Sequence, residues 1–138
     1  MLIIKGLLYM KGESKKVGLG VFKNLLNEIY MEKNRWDKEN YLGVICVPEG
    51  CTSDVVNLIS SEFGIPCSRN SLRTVGGKIL VVPFKGIENY LCGTECTTII
   101  LLSEALAEVT PDERSFGVMY SLSRLRSECS EHKRVVII

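Results

Sequence analysis

Short apolar runs alternate along this chain with stretches whose apolar residues recur at helical spacing. The segments Leu2–Met10, Tyr41–Val47 and Thr97–Leu102 are short and mainly apolar, which predicts three strands. The third has the composition of a strand that is buried on both faces of a sheet. From Val21 onward the spacing is helical, and one face carries Phe22, Leu25, Leu26, Ile29 and Tyr30.

The second third of the chain predicts a helix and then a hairpin. Thr52 or Ser53 can cap a helix that ends at Gly64 and Pro66. After this helix, the segments 71–74 and 78–84 flank Val75-Gly76-Gly77, which is a turn signal between two strands.

The last third predicts one more helix, over Phe116–Glu128, and a final strand, over Arg134–Ile138. Strands that alternate with helices favour an α/β fold with three layers and a mainly parallel sheet, here with one β-hairpin. We expect the central strands to bury seven apolar side chains: Leu80, Val82, Ile99, Ile100, Leu101, Val136 and Ile137.

Composition supports one globular domain over residues 1–138. Hydrophobic residues make up 46% of the chain and charged residues 24%, with a net charge of +1, which excludes disordered and fibrous classes. No apolar run approaches the roughly 18 residues of a membrane span, and the first residues lack the order of a signal peptide. We therefore predict a soluble, intracellular protein without a membrane partner.

Charge is unevenly distributed, since residues 1–39 carry eight Lys/Arg against five Asp/Glu, whereas residues 40–138 carry nine against eleven. The basic first part is a hint of phosphate or nucleic-acid contact, and a solvated basic surface is the alternative. Five arginines could also contact phosphate or DNA, although the interspersed acids favour a solvated surface: Arg69, Arg73, Arg124, Arg126 and Arg134.

The six cysteines do not show the spacing of a zinc site, because none of them forms a C-x-x-C pair. We predict buried free thiols and no metal site. His132, the only histidine, lies in a charged run and is expected on a surface turn. Trp36 lies in a polar segment, where it is either an exposed interaction anchor or a lid packed onto the core.

A strand, a Gly/Lys-rich loop over residues 11–20 and a helix form the layout of a phosphate-binding loop. The predicted phosphate contacts are Lys15, Lys16, Gly18, Leu19 and Gly20. The strict motif G-x-x-x-x-G-K-[ST] is absent, so a turn softened by glycines is the alternative.

Ser103 and Glu104 form the second candidate site, because they follow the apolar strand 97–102. In nucleotide hydrolases such a strand ends in Asp-Glu, which hold Mg²⁺ and orient the attacking water. Here Ser103 occupies the magnesium-side position and Glu104 the water-orienting position. The alternative is that Glu104 simply starts the next helix, where the helix dipole favours an acid.

The order of these parts resembles the ATPase domain of the large terminase subunit, the viral DNA-packaging motor. Segment 15–20 resembles its loop R-x-x-G-K-[ST], with Lys15 at the Arg position and Gly18 at the Gly position. Segment 70–79 resembles its hairpin, and segment 89–105 resembles the stretch that ends in D-E-A. The resemblance implies a P-loop NTPase-like (Rossmann-like) fold, and it implies ATP, Mg²⁺, DNA and other packaging proteins as ligands and partners.

Four positions depart from the family pattern, and these departures imply weak nucleotide binding and little turnover. Leu19 replaces the phosphate-binding Lys, Gly20 the magnesium-side hydroxyl, Ser103 an Asp and Cys92 an Arg. One alternative is a non-catalytic binding or assembly protein that kept the α/β fold, and another is a small Rossmann-like domain of different ancestry. The apolar final strand has two interpretations, a chain that continues in a longer polypeptide and, as the minor case, self-association through the exposed strand edge.

Overall fold

The computed structural model describes residues 2–4, 7–9, 16–126 and 134–138, and it describes side chains over 20–126 and 135–138. Nine strands are present in these ranges: β1 (Leu2–Ile4), β2 (Leu7–Tyr9), β3 (Lys16–Gly18), β4 (Tyr41–Val47), β5 (Cys67–Ser68), β6 (Ser71–Arg73), β7 (Gly77–Pro83), β8 (Thr98–Leu101) and β9 (Arg134–Ile137). The α-helices there are α1 (Leu19–Glu32), α2 (Thr52–Phe63), α3 (Glu88–Leu91), α4 (Ser103–Ala107) and α5 (Pro111–Ser123), and a 3₁₀ turn spans Lys33–Arg35.

Six strands form the main sheet in the order β5-β6-β7-β4-β8-β9. The four strands from β7 to β9 run parallel, whereas β5 and β6 pair antiparallel at one edge. The predicted hairpin is present, with Arg73 opposite Lys78 in the register. The mainly parallel sheet and its helices confirm the predicted α/β class.

Strand β4 lies inside this sheet, between β7 and β8, and all seven of its residues are buried. Successive side chains of a strand point to opposite faces, so both faces of the sheet must be covered here. Parallel strands need crossover connections, and α2 provides one between β4 and β7, while α4 and α5 provide another between β8 and β9. None of the helices in the described ranges is long and apolar enough to cross a membrane.

The prediction for the N-terminal segment is wrong in its detail. The segment 2–10 contains two strands instead of one, and part of the predicted loop is a third strand, β3. These strands form a separate antiparallel sheet in the order β1-β2-β3, so the single predicted hairpin is not the only antiparallel pairing in the described chain. Lys5-Gly6, which divides the apolar run, is the sequence signal for two short strands.

Helix α2 ends where its stop signals predicted, with Gly64 in the left-handed conformation after its last turn. The predicted cap is wrong, because Thr52 and Ser53 lie inside the first turn and Cys51 occupies the N-cap position without a side-chain hydrogen bond. Helix α5 begins five residues before the predicted start at Phe116, because Thr110 and Glu113 form a capping box. The Thr110 hydroxyl accepts the Glu113 N–H at 3.2 Å, and the Glu113 carboxylate accepts the Thr110 N–H at 3.3 Å. Pro111 fits the first helical position.

Four of the seven predicted core residues are fully buried: Val82, Ile99, Ile100 and Leu101. Leu80 and Val136 are only partly buried. The prediction for Ile137 is wrong, since its side chain is 55% exposed. The physical reason is topological, because β9 is the last strand of the sheet and has a neighbour on one side only.

Trp36 packs into the core, edge-on to Phe63 of α2 with the ring centroids 5.7 Å apart, and is not an exposed anchor. The cysteine prediction is confirmed for Cys46, Cys51 and Cys96, and it is wrong for Cys67 and Cys92, which are free but exposed. Burial raises the pKa of the Cys96 thiol to about 11 and the pKa of Cys46 further still. Cys129 and His132 lie outside the described residues.

Replacing the buried Leu101 of β8 with alanine should lower the free energy of unfolding by about 2–5 kcal/mol, through lost burial and a residual cavity. Urea titration followed by circular dichroism measures the change. Met31→Ala is the control, because Met31 is 69% exposed on α1 and its truncation should cost little. A loss below about 1 kcal/mol for Leu101→Ala would contradict the central position of β8.

The exposure of the thiols predicts their alkylation order. At about pH 8, iodoacetamide should modify Cys67 and Cys92 in the folded protein, and Cys46, Cys51 and Cys96 only after unfolding. Two causes act together, since burial blocks access and the raised pKa of Cys46 and Cys96 keeps these thiols neutral. Peptide mapping by mass spectrometry reads each site separately. Equal labelling of Cys46 and Cys67 before denaturation would contradict the packing.

Candidate functional site

The carboxyl edge of the sheet is the expected ligand site of this fold class, because ligands of open α/β sheets bind where the strand order reverses. The chain moves from β4 to β7 on one side and then to β8 on the other, so the reversal lies between β4 and β8. The loops at this edge contact one another: the Glu49 N–H donates to the Glu108 carboxylate at 2.7 Å, and Lys85 lies 3.9 Å from Glu49.

Ser103 and Glu104 lie at this edge, directly after β8, as the sequence predicted. They also begin the five-residue helix α4, which is the structural role of Glu104 that the sequence left open. The Ser103 hydroxyl donates to the Ile138 carbonyl at 2.5 Å, and the Ser103 N–H donates to the same oxygen at 2.6 Å. Ser103 therefore ties the end of β9 to the start of α4.

The predicted phosphate loop lies in a different setting from that of a P-loop. Lys16 and Gly18 belong to β3, opposite Tyr9 and Leu7 of β2, and Leu19 and Gly20 open α1. In a P-loop, the strand before the loop belongs to the parallel sheet that also carries the acidic strand end. Here β3 and β8 belong to two different sheets. Lys15 lies outside the described residues.

A cavity at the carboxyl edge is too small for a nucleotide. It lies between the loop after β7 and helix α5, near Phe84 and Gly117, and has about 60 Å³. Ligand pockets generally have about 300–1,000 Å³. Since Leu19 and Gly20 also lack the charge and the hydroxyl that ATP and Mg²⁺ require, the described residues do not fit this ligand pair.

The amino edge of the sheet contains a buried charge that structural contacts explain. The carboxylate of Glu32, at the end of α1, accepts the Thr98 hydroxyl at 2.9 Å and lies 3.3 Å from the Arg35 guanidinium. Burial, followed by the nearby Glu32 charge, raises the pKa of the Tyr41 phenol well above its usual value. These groups join α1 to the first residues of β4 and β8, so the network holds the fold together.

A second candidate site lies on the outer face of the β6–β7 hairpin. Leu72 and Ile79 are buried on the inner face, so Ser71, Arg73 and Lys78 share the outer one. Arg73 lies directly opposite Lys78 in the antiparallel register. The Cβ atoms of such a pair are about 4.5–5.5 Å apart, where like charges destabilise the ladder. An anion placed between them would relieve this repulsion.

A groove of about 400 Å³ runs along this pair of cations. Its described lining contains no acid, and consists of Pro66, Cys67, Ser68, Ser71, Arg73, Gly77 and Lys78. We call this groove the hairpin groove. A second groove, of about 490 Å³, shares Pro66 and Arg73 with it and extends toward Trp36 and Phe63, and its lining includes the acid Asp37.

The local charge of residues 63–87 is a sequence signal for this site. The net charges of residues 1–39 and 40–138 do not reveal it. Residues 63–87 contain four cations and no acid: Arg69, Arg73, Lys78 and Lys85. The excess positive charge of residues 1–39 lies outside this segment, and the acids interspersed over the whole chain favour a solvated surface for Arg73. The hairpin register changes this interpretation of Arg73, because it places Arg73 and Lys78 side by side.

Over the residues for which the structure gives positions, no group of three His, Cys, Asp or Glu side chains could hold a metal ion. Comparisons with known protein families, with curated proteins and with solved structures find no match to this chain.

Proposed function

We propose that this protein is a non-catalytic binding protein that kept an α/β fold and binds nucleic acid through the hairpin groove. The observation that carries the proposal is the pairing of Arg73 with Lys78 across β6 and β7, in a groove whose described lining contains no acid. Two adjacent cations in a described lining that lacks an acid suit the closely spaced phosphates of a nucleic-acid backbone.

The chemistry of the groove also suits a backbone ligand. Arg73 offers a planar fork of donors that matches a phosphate, and Lys78 offers a point charge. The Ser68 hydroxyl lies beside them and can donate to a phosphate oxygen, whereas the Ser71 hydroxyl donates to the Ser68 carbonyl at 3.0 Å. The buried ring of Trp36 gives no open surface for base stacking, so recognition rests on the backbone and is expected to tolerate different sequences.

A labelled DNA duplex of about 20 base pairs should bind the protein with an affinity that falls steeply with salt. Replacing Lys78 with Gln should weaken binding and reduce the salt slope by about 0.9, because one phosphate contact is lost. The double variant Arg73→Gln/Lys78→Gln should reduce the salt slope by about twice as much, because two phosphate contacts are lost. Fluorescence anisotropy at several salt concentrations measures both quantities.

Lys23→Gln is the matched control, because Lys23 is an exposed lysine on α1, outside the groove, and its loss changes the net charge equally. A native cysteine provides a second control: duplex DNA should protect Cys67, which lines the groove, from alkylation while Cys92 stays reactive. If Lys23→Gln weakens binding as much as Lys78→Gln does, the groove is not the binding site.

A second candidate function is a terminase-like P-loop ATPase domain of a viral DNA-packaging motor, weakened or inactive in turnover. The position of Glu104 favours it, since this carboxylate follows β8 at the carboxyl edge, next to the point where the strand order reverses. The finer fold assignment, P-loop NTPase-like or Rossmann-like, belongs to this candidate. Under it the binding of nucleic acid would serve packaging and other packaging proteins would be partners.

Calorimetry with Mg-ATP separates the two candidates. We expect a dissociation constant weaker than about 1 mM, because the phosphate charge is left without its Lys and hydroxyl partners. We also expect the background rate of ATP hydrolysis to be the same for the unmodified chain and for Glu104→Gln. Turnover that Glu104→Gln abolishes would contradict the non-catalytic proposal and favour the second candidate.

A further inference from the structure

The second groove, next to the hairpin groove, is built from three segments of the chain that contact one another. Its volume of about 490 Å³ lies in the usual range of ligand pockets. Trp36, from the segment after α1, meets the Phe63 ring edge-on, with 5.7 Å between the ring centroids. The Arg73 N–H donates to the Pro66 carbonyl at 2.9 Å and so joins the hairpin to the chain after α2. These contacts form the groove without a ligand.

The turn of the β6–β7 hairpin closes one side of the second groove. The Gly76 N–H donates to the Trp36 carbonyl, so the turn lies against the segment after α1. A Cβ atom at Gly76 would collide with the carbonyl groups of Lys38 and Trp36, and glycine is therefore required for this close approach. Val75, directly before it, lines the groove and is 84% exposed. The turn thus holds an uncovered apolar side chain beside the groove.

The lining of the second groove combines an apolar surface with an acid. Phe63 is only partly buried, so its ring is the aromatic surface that the groove offers, and Ile65, Pro66 and Val75 extend this surface. Asp37 is exposed, and no hydrogen bond or ion pair within the described ranges uses its carboxylate. The groove therefore suits a flat apolar group that also carries hydrogen-bond donors.

The charges of the two grooves differ. The described lining of the hairpin groove contains cations and no acid, whereas the second groove adds Asp37 and Lys33 to the shared Arg73. A phosphate in the second groove would be repelled by the Asp37 carboxylate. An uncharged ring with N–H groups would instead donate to it. Since Arg73 lines both grooves, a phosphate bound to Arg73 brings the group attached to that phosphate to the second groove.

Thr74 supplies a donor beside the acceptor of Asp37. It lines the second groove and is only 8% exposed. Its hydroxyl oxygen accepts the Gly77 N–H at 3.0 Å, and no hydrogen bond within the described ranges uses the hydroxyl hydrogen. A ring edge with a carbonyl oxygen next to N–H donors complements this pair. The Watson–Crick edge of guanine has this pattern, whereas thymine has a single N–H between two carbonyl oxygens.

We propose that the second groove binds one unpaired base, preferably guanine, of a nucleic-acid strand whose phosphate is held by Arg73 and Lys78. This inference rests on the proposed binding of nucleic acid by the hairpin groove and deepens it. A paired base lies inside the duplex stack, so a fully paired duplex contacts the hairpin groove through its backbone alone. An unpaired base can leave the stack, pack on Phe63 and donate to Asp37. The ligand class is therefore a strand with an unpaired nucleotide, such as a bulge or a single-stranded end.

Two DNA duplexes of one sequence, about 20 base pairs long, test this ligand class. One is fully paired, and the other carries a single bulged guanine at its centre. The bulged duplex should bind about tenfold more tightly, because the base gains an apolar contact and a hydrogen bond to a charged group. A bulged thymine is the matched ligand and should gain less, since its carbonyl oxygens would face the Asp37 carboxylate. Fluorescence anisotropy at one fixed salt concentration measures all three affinities.

Variants of the second groove are compared through ratios of these affinities. Asp37→Asn should bring the guanine-to-thymine ratio close to one, because the charged acceptor is lost. Asp112→Asn is the matched control, since Asp112 is an exposed aspartate on α5, outside the groove, and the ratio should stay unchanged. Phe63→Leu should lower the gain of both bulged duplexes over the paired one, because it keeps an apolar side chain and removes the ring. Circular dichroism should show native folding for each variant.

Trp36 provides a direct readout, because it is the only tryptophan of the chain and lines the second groove. Its emission should change when the bulged-guanine duplex saturates the protein, and it should not change with the paired duplex. Equal affinity for these two duplexes, with salt-dependent duplex binding intact, would overturn this inference and leave the proposed function standing. An unchanged guanine-to-thymine ratio in Asp37→Asn would also overturn it. Duplex binding that Lys78→Gln does not weaken would overturn the proposed function and this inference together.

Discussion

Burial of β4 along its whole length is the constraint on which the rest of the structure depends. A strand with all seven residues buried requires a strand on each side and helices on both faces. Because β7 and β8 supply the two sides and run parallel to β4, the connections must cross the sheet. The order of the chain around β4 then fixes which loops meet at each edge.

The same constraint explains where polar groups can and cannot act. At the amino edge, the carboxylate of Glu32 is buried, and hydrogen bonds and charge partners from Thr98 and Arg35 compensate for its lost hydration. At the carboxyl edge, Ser103 uses both its N–H and its hydroxyl to hold Ile138. Both ends of the parallel strands are therefore occupied by contacts that stabilise the fold, whereas the cations of the β6–β7 hairpin lie outside this packing.

The sequence predicted the parts whose signals are local. The bounds of strand β4 and the end of helix α2 were predicted correctly, because Pro48 and Gly64 are strong stop signals next to apolar runs. The start of α5 was missed although Thr110 and Glu113 form a local capping box. The exposure of Ile137 and the pairing of Arg73 with Lys78 could not be predicted in this way, since strand order and register decide them. An apolar run predicts a strand, and it does not reveal whether that strand lies inside the sheet or at its edge.

The two edge strands of the main sheet differ in length and in composition. One edge is protected, because β5 has only two residues and Arg69 follows it directly. The other edge, β9, begins with the charged Arg134 and continues with the apolar residues Val135, Val136 and Ile137. Each edge strand therefore has a charged residue in it or directly beside it, and such a charge opposes pairing with another chain.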